Sequence, residues 1–255
     1  STLPSGSTMF SRRLTQINKS SISYTESLRH SLPNSQAGYR QRAHMDEAYL
    51  LPRSASIEVP LRIAVLISGG GSGLAALLRY QEAEAKTHQT VLVLADSEDA
   101  GGLEHGRSRG IETHGIPLPA FEDKVQRRLA HEELVHTALV NAEVELVVLS
   151  GYMRILTPSF VKRWKGRLVN IHPSLLPKYP GAHAHRDALA DGATVSGCTV
   201  HLVDEGVDSG MILAQSEVPV HPDDIESDLQ ERIKKVEHVL YPDVLDRLSV
   251  GGYSV

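Results

Sequence analysis

Arg62-Ile63-Ala64-Val65-Leu66-Ile67, followed at once by Ser68-Gly69-Gly70-Gly71-Ser72-Gly73 and an amphipathic run from Leu74 to Ala85, decides the fold. A short β-branched run reads as a strand, a glycine cluster as a tight loop, and an apolar period of 3.6 as a helix packed on the strand. The grammar repeats downstream. Thr90 to Ala95, Glu145 to Leu149, Leu168 to Ile171, Gly197 to Val203 and Met211 to Val218 read as further strands. Lys124 to Val140 and Ile225 to Leu248 read as helices, the second opened by Asp223 and Asp224 as caps. The unbroken apolar runs Val-Leu-Val-Leu-Ala (91–95) and Leu-Val-Val-Leu (146–149) suit strands covered on both faces, as in a parallel sheet. The expected class is α/β: one doubly wound, mostly parallel sheet with a Rossmann-type N-terminal half and an antiparallel edge contribution, over residues 61 to about 250.

A chain of 255 residues, 41% hydrophobic and 22% charged, is long enough to bury one large core. No apolar stretch approaches the ~18 residues a membrane-spanning helix needs. The single cysteine, Cys198, supports neither an internal disulfide nor a cysteine-based zinc site. Residues 1 to 45 carry five Arg and one Lys against Glu26 alone, which makes that segment +5 and leaves −10 on the rest. An acidic body with 5% aromatics lacks the electrostatic footprint of a nucleic-acid binder. Residues 1–60, with ten Ser and four Thr in the first 45, read as a poorly ordered leader ahead of a catalytic domain at 61–255. The preferred reading of that leader is extra upstream sequence, with Met9 and Met45 as later initiators; the other is an organelle transit peptide. The expected location is accordingly the cytoplasm, or an organelle under the second reading.

The glycine loop has three readings. Backbone N–H groups at a helix start suit a phosphate. Gly71-x-Gly73-x-x-Ala76, with Asp96 twenty residues later, also matches the dinucleotide fingerprint of nicotinamide dehydrogenases. A purely structural turn is the third.

The chemistry concentrates in Val169-Asn170-Ile171-His172-Pro173-Ser174-Leu175-Leu176-Pro177-Lys178-Tyr179-Pro180-Gly181. In an extended chain Asn170 and His172 share one face at the carboxyl end of a strand, where open α/β sheets place ligands. Pro173, Pro177 and Pro180 stiffen the segment beyond the strand, and any of the three X-Pro bonds is open to the cis form. The turn Asp204-Glu205-Gly206-Val207-Asp208-Ser209-Gly210 supplies carboxylates, by default solvated, that can partner an imidazole. An amide, a protonatable histidine and an aspartate suit oxyanion stabilisation and proton movement.

Asn170-Ile171-His172-Pro173-Ser174-Leu175-Leu176-Pro177 followed by Asp208-Ser209-Gly210 closely resembles the glycinamide ribonucleotide formyltransferases, a branch of the folate-dependent formyltransferase family. Ile67-Ser68-Gly69-x-Gly71-Ser72, Gly151-Tyr152-Met153-Arg154-Ile155-Leu156, and Glu237-His238 ahead of Tyr241-Pro242 extend the likeness over residues 61 to 245. The resemblance implies a formyltransferase-like domain and direct formyl transfer from 10-formyltetrahydrofolate, through a tetrahedral intermediate, to the amine of 5′-phosphoribosylglycinamide in purine biosynthesis. It implies that His172 is the general acid, Asn170 a donor to the formyl oxygen, and Asp208 the partner of His172. Gly71, Ser72 and Gly73 would take the substrate phosphate, Glu237 the glycinamide portion, and Met153, Arg154, Ile155 and Leu156 the folate. Small molecules are then the partners, with no metal, nucleic acid or membrane, and a homodimer stays open.

Gly70 and Gly73 stand where many family members carry Asn, so side-chain help to the phosphate is reduced at those positions. Lys124 receives no assigned role. Gly181-Ala182-His183-Ala184-His185-Arg186 departs from the run typical of methionyl-tRNA formyltransferases, and residues 1–60 do not resemble the ordered regulatory domain of formyltetrahydrofolate hydrolases. The hydrolase and the dehydrogenase remain as alternatives, with a catalytically idle metabolite sensor as a third. His183 and His185 lack the further ligands that zinc requires.

Overall fold

The computed structural model describes residues 49–254; most of the expected leader lies outside the described residues. Seven strands form one sheet in the order β3-β2-β1-β4-β5-β6-β7. The strands are β1 (Leu61–Ile67), β2 (His88–Ala95), β3 (Glu112–Gly115), β4 (Leu146–Leu149), β5 (Leu168–His172), β6 (Val195–Leu202) and β7 (Ile212–Pro219). β1 to β5 run parallel, whereas β6 and β7 are antiparallel to their neighbours. The helices are α1 (Ser72–Ala83), α2 (Leu103–Arg107), α3 (Lys124–Asn141), α4 (Pro158–Arg163), α5 (Ala184–Ala190) and α6 (Glu226–Ser249).

The unbroken apolar runs divide between two cores by the period-2 rule. Ile63, Val65, Ile67, Val93 and Val148 face Leu74, Leu77 and Leu78 of α1 and Val244, Leu245 and Leu248 of α6. Ala64, Leu66, Leu92, Leu94, Val147 and Leu149 face Val135 and Leu139 of α3, Phe160 of α4 and Trp164 just past the end of α4. Each fully buried Leu, Ile or Val contributes roughly 1.5–3 kcal/mol, so a polar residue anywhere from Ile63 to Ile67 would break one layer or the other.

β3 escapes the sequence reading because Glu-Thr-His-Gly carries one β-branched residue; its place follows from pairing beside β2. The α6 caps are corrected as well. Asp224 is taken by Arg232 at 2.6 and 2.8 Å and by the His221 N–H, while Asp228 accepts the Ile225 N–H that opens the helix. Residues 49–60, expected within the leader, dock on the sheet domain through Tyr49, Leu51 and Ala55. The Ala55 N–H donates to the Ser249 carbonyl, and Arg53 forks onto Glu145 at 2.5 and 2.9 Å. Of the three X-Pro bonds left open, Leu176–Pro177 is cis.

β1 pairs with β2 on one side and β4 on the other, so the chain reverses its winding direction between β1 and β4. Such a switch point leaves a crevice at the carboxyl ends of the strands.

Candidate active site

A cavity of about 750 Å³ occupies that crevice, and every residue that the family resemblance assigns to chemistry or binding lies in its wall. That volume falls in the upper part of the range of small-molecule sites.

At the β1 end, the loop 68–73 is held from beneath by α2. Gly102 N–H donates to the Gly69 carbonyl, and His105 Nε2 lies 3.0 Å from the Gly70 carbonyl. Gly71 sits at φ 64° as the residue preceding α1, a left-handed conformation that glycine adopts without strain. Ala75 N–H to Gly71 O is the first helical hydrogen bond, so the N–H groups of Ser72, Gly73 and Leu74 precede the helical ladder and no side chain caps them. They form the anion-attracting end of the cavity. The same geometry argues against a dinucleotide. Asp96, the carboxylate that would take a ribose, has a side chain 8% exposed and paired with Arg154 at 2.5 Å.

The β4 loop is laced to the β1 loop: Ser68 N–H donates to the Gly151 carbonyl and Ser68 Oγ accepts the Met153 N–H. This lacing presents Met153 and Ile155, 76% and 69% exposed, at the cavity mouth. Apolar side chains that open in a cavity rim suit a flat heterocycle.

β5 carries Asn170 and His172 into the cavity as its alternation predicts. The turn after β6 brings Asp208 to them; there the Gly210 backbone passes so close to the Leu202 carbonyl that a Cβ would fall 1.8 Å from it. Asp208 adopts φ 50°, tolerated by Asp better than by most residues, and its Oδ2 accepts the Gly181 N–H at 2.7 Å. His172 is 4% exposed, with Nε2 2.8 Å from the Tyr179 carbonyl and Nδ1 3.3 Å from Asp208 Oδ2. Burial raises the Asp208 carboxyl, but the neighbouring imidazoles of His201 and His172 and the hydrogen bond from the Gly181 N–H outweigh it and hold it below the ordinary carboxylate value.

His201 is a residue the sequence reading missed. Its Nδ1 donates to the Leu202 carbonyl at 2.9 Å, which leaves Nε2 as an acceptor 3.3 Å from Asn170 Nδ2 and 3.6 Å from Asp208 Oδ1. One Asn170 N–H is thereby fixed and the other remains for a ligand. The signal is the antiparallel register pairing Asn170 with His201, which exists only once β6 is known to run against β5.

On α6, Gln230, Lys234, Glu237, His238 and Tyr241 recur at helical spacing along one face and line the cavity. Tyr241 fixes that helix to the sheet, its hydroxyl lying 2.9 Å from the Leu149 carbonyl and 3.0 Å from that of Val169. His238 Nε2 is buried without a partner among the described residues. Burial lifts the Glu237 carboxyl to about 7, against a smaller opposing effect of Lys234. A raised carboxyl adds stability that is complete below ~4.5 and lost as pH rises through about 7. Glu237→Gln is therefore expected to be more stable than the parent at pH 8.5, by up to about 3 kcal/mol, with the gap closing as pH falls toward 4.5. Thermal melting of both proteins across that range checks it. Lys124 is exposed in the first turn of α3, away from the cavity, and of the two neighbouring histidines only His185 lines the wall.

The formyl transferase family profile matches residues 61–245. The chain is 42% identical to the phosphoribosylglycinamide formyltransferase of Escherichia coli over 75% of its own length and 88% of the relative's. It is 46% identical to the trifunctional purine biosynthetic protein adenosine-3 of Drosophila melanogaster, covering 74% of this chain but 14% of that much longer protein. Among solved structures, it is similar to glycinamide ribonucleotide transformylase 1 from Symbiobacterium toebii at 37% identity and TM-score 0.72, covering 77% of this chain and 91% of that one.

Proposed function

The chain belongs to the formyl transferase family, and from that premise and the cavity's geometry we propose that it transfers a formyl group from 10-formyltetrahydrofolate to the amine of 5′-phosphoribosylglycinamide. The observation that carries this reading is the meeting of Asn170, His172 and Asp208 in one cavity with anion-binding N–H groups at one end and an apolar mouth at the other. An anionic sugar phosphate fits the first end and a pterin the second. Lys234 adds a cation to the wall, and Glu237 offers a carboxyl to the glycinamide N–H groups.

Once the uncharged amine attacks the formyl carbon, negative charge develops on the formyl oxygen. The free N–H of Asn170 meets that oxygen, its amide held in orientation by His201. The two protons of a charged His172 are held unequally: the one on Nε2 is tied to the Tyr179 carbonyl at 2.8 Å, whereas the one on Nδ1 faces Asp208 across a long 3.3 Å. The second is the proton free to pass to the folate nitrogen as its bond to the formyl carbon breaks, and Asp208, ionised in the working pH range, takes up the proton that the attacking amine gives off and returns it to His172 Nδ1. Small-molecule substrates are the partners, and the cytoplasm is the proposed location. No helix among the described residues is long and apolar enough to cross a membrane.

Asp208→Asn removes the carboxylate that faces His172 Nδ1 at 3.3 Å, and kcat is expected to fall by about 10²-fold or more with both KM values little changed. A parental kcat contradicts the pairing. The function itself is tested by absorbance: 10-formyltetrahydrofolate should be consumed only when glycinamide ribonucleotide is present. Loss without acceptor means a hydrolase, and no loss with both present means neither.

A further inference from the structure

Of Gly70 and Gly73 in the anion-binding loop, the first borders open space and the second does not. A Cβ built on Gly70 meets nothing within 4 Å, whereas one on Gly73 falls 2.4 Å from Ser150 Oγ. Ser150 follows β4 directly, and its N–H donates to the Leu66 carbonyl at 3.0 Å, so the backbone bearing this hydroxyl is anchored to β1. The hydroxyl lines the cavity beside the first turn of α1 and hydrogen-bonds to no described residue. Of the other hydroxyls there, Ser68 Oγ is tied to the Met153 N–H and Ser72 stands at the exposed start of the helix.

We infer that Ser150 is the side-chain donor of the phosphate end of the cavity, standing in the space that a side chain at position 73 would fill. The inference rests on the cavity reading above and adds a binding residue to it. The N–H groups of Ser72, Gly73 and Leu74 supply backbone donors that no side-chain truncation removes, and Ser150 Oγ adds a hydroxyl beside them. The two positions compete for one space. A side chain at 73 would displace Ser150 Oγ from its present rotamer, because the built Cβ lies 2.4 Å from that oxygen, whereas Ser150 Cβ, 3.7 Å away, is at an ordinary contact distance.

The test is a substrate-by-mutation cycle. Ser150→Ala is expected to keep the parent's melting temperature and its KM for 10-formyltetrahydrofolate. Its KM for glycinamide ribonucleotide should rise about 10-fold or more, the usual cost of a hydrogen bond lost to a charged group, with kcat within about twofold. With the dephosphorylated riboside as acceptor, parent and variant should have equal KM values. Gly73→Asn alone should weaken ribonucleotide binding by crowding Oγ, while Gly73→Asn with Ser150→Ala should bind it better than Gly73→Asn alone. An unchanged ribonucleotide KM in Ser150→Ala, a defect that persists on the riboside, or strictly additive effects of the two substitutions would each overturn the inference. A parent protein that transfers no formyl group defeats the cavity reading instead, and a direct titration of parent and Ser150→Ala with ribose 5-phosphate then decides the role of Ser150 by the same tenfold criterion.

Discussion

His172→Ala is expected to keep its fold and to turn over about 10²–10⁴-fold more slowly, the usual range for loss of a general acid. The polar neighbours of the ring are the Tyr179 carbonyl and Asp208. Removing it leaves these two oxygens facing a cavity that water can enter, so the structural cost stays small beside the catalytic one. Circular dichroism and melting establish the fold, and kcat with saturating donor and acceptor measures the loss. KM values should change little, because the proton on Nδ1 acts only as the transition state is approached. A variant with parental kcat would remove His172 from the mechanism.

Asn170→Ala should lose about 10²–10³ in kcat, the typical result of deleting one oxyanion donor. The expectation depends on orientation. The amide is fixed by the lone pair of His201 Nε2, and that lone pair is fixed by the bond from Nδ1 to the Leu202 carbonyl. Asn170→Asp provides the sharper comparison: it keeps the shape, removes the donors and places negative charge where negative charge develops. It is expected to be at least as slow as the alanine variant, and an Asn170→Asp enzyme faster than Asn170→Ala would contradict oxyanion stabilisation at this position.

Local pattern made much of this molecule legible. The central strands announce themselves because β1, β2 and β4 are buried on both faces, and Asn170 and His172 because alternation and flanking prolines leave them little freedom. What stayed hidden depends on partners distant in sequence. β3 is a strand by virtue of β2, not of Glu-Thr-His-Gly. His201 joins the site across an antiparallel register 31 residues away, and Ser150 through a close approach to Gly73 from another loop. Asp223 and Asp224 looked like caps because acidic residues precede α6, yet Arg232, one turn and more into the helix, claims Asp224. The dinucleotide fingerprint, held as an alternative, fails for a related reason: spacing places Asp96 correctly, but only the fold reveals that Arg154 already holds it.

The central claim, direct passage of the formyl group between two substrates in the Asn170–His172–Asp208 cavity, is tested most directly by following the group itself. Donor labelled in the formyl carbon is mixed with excess enzyme and glycinamide ribonucleotide for one turnover, and the label is counted in the formylated ribonucleotide and in free formate. Direct transfer predicts nearly all of the label in the ribonucleotide and almost none in formate; label recovered chiefly as formate, or left on the donor, would contradict it.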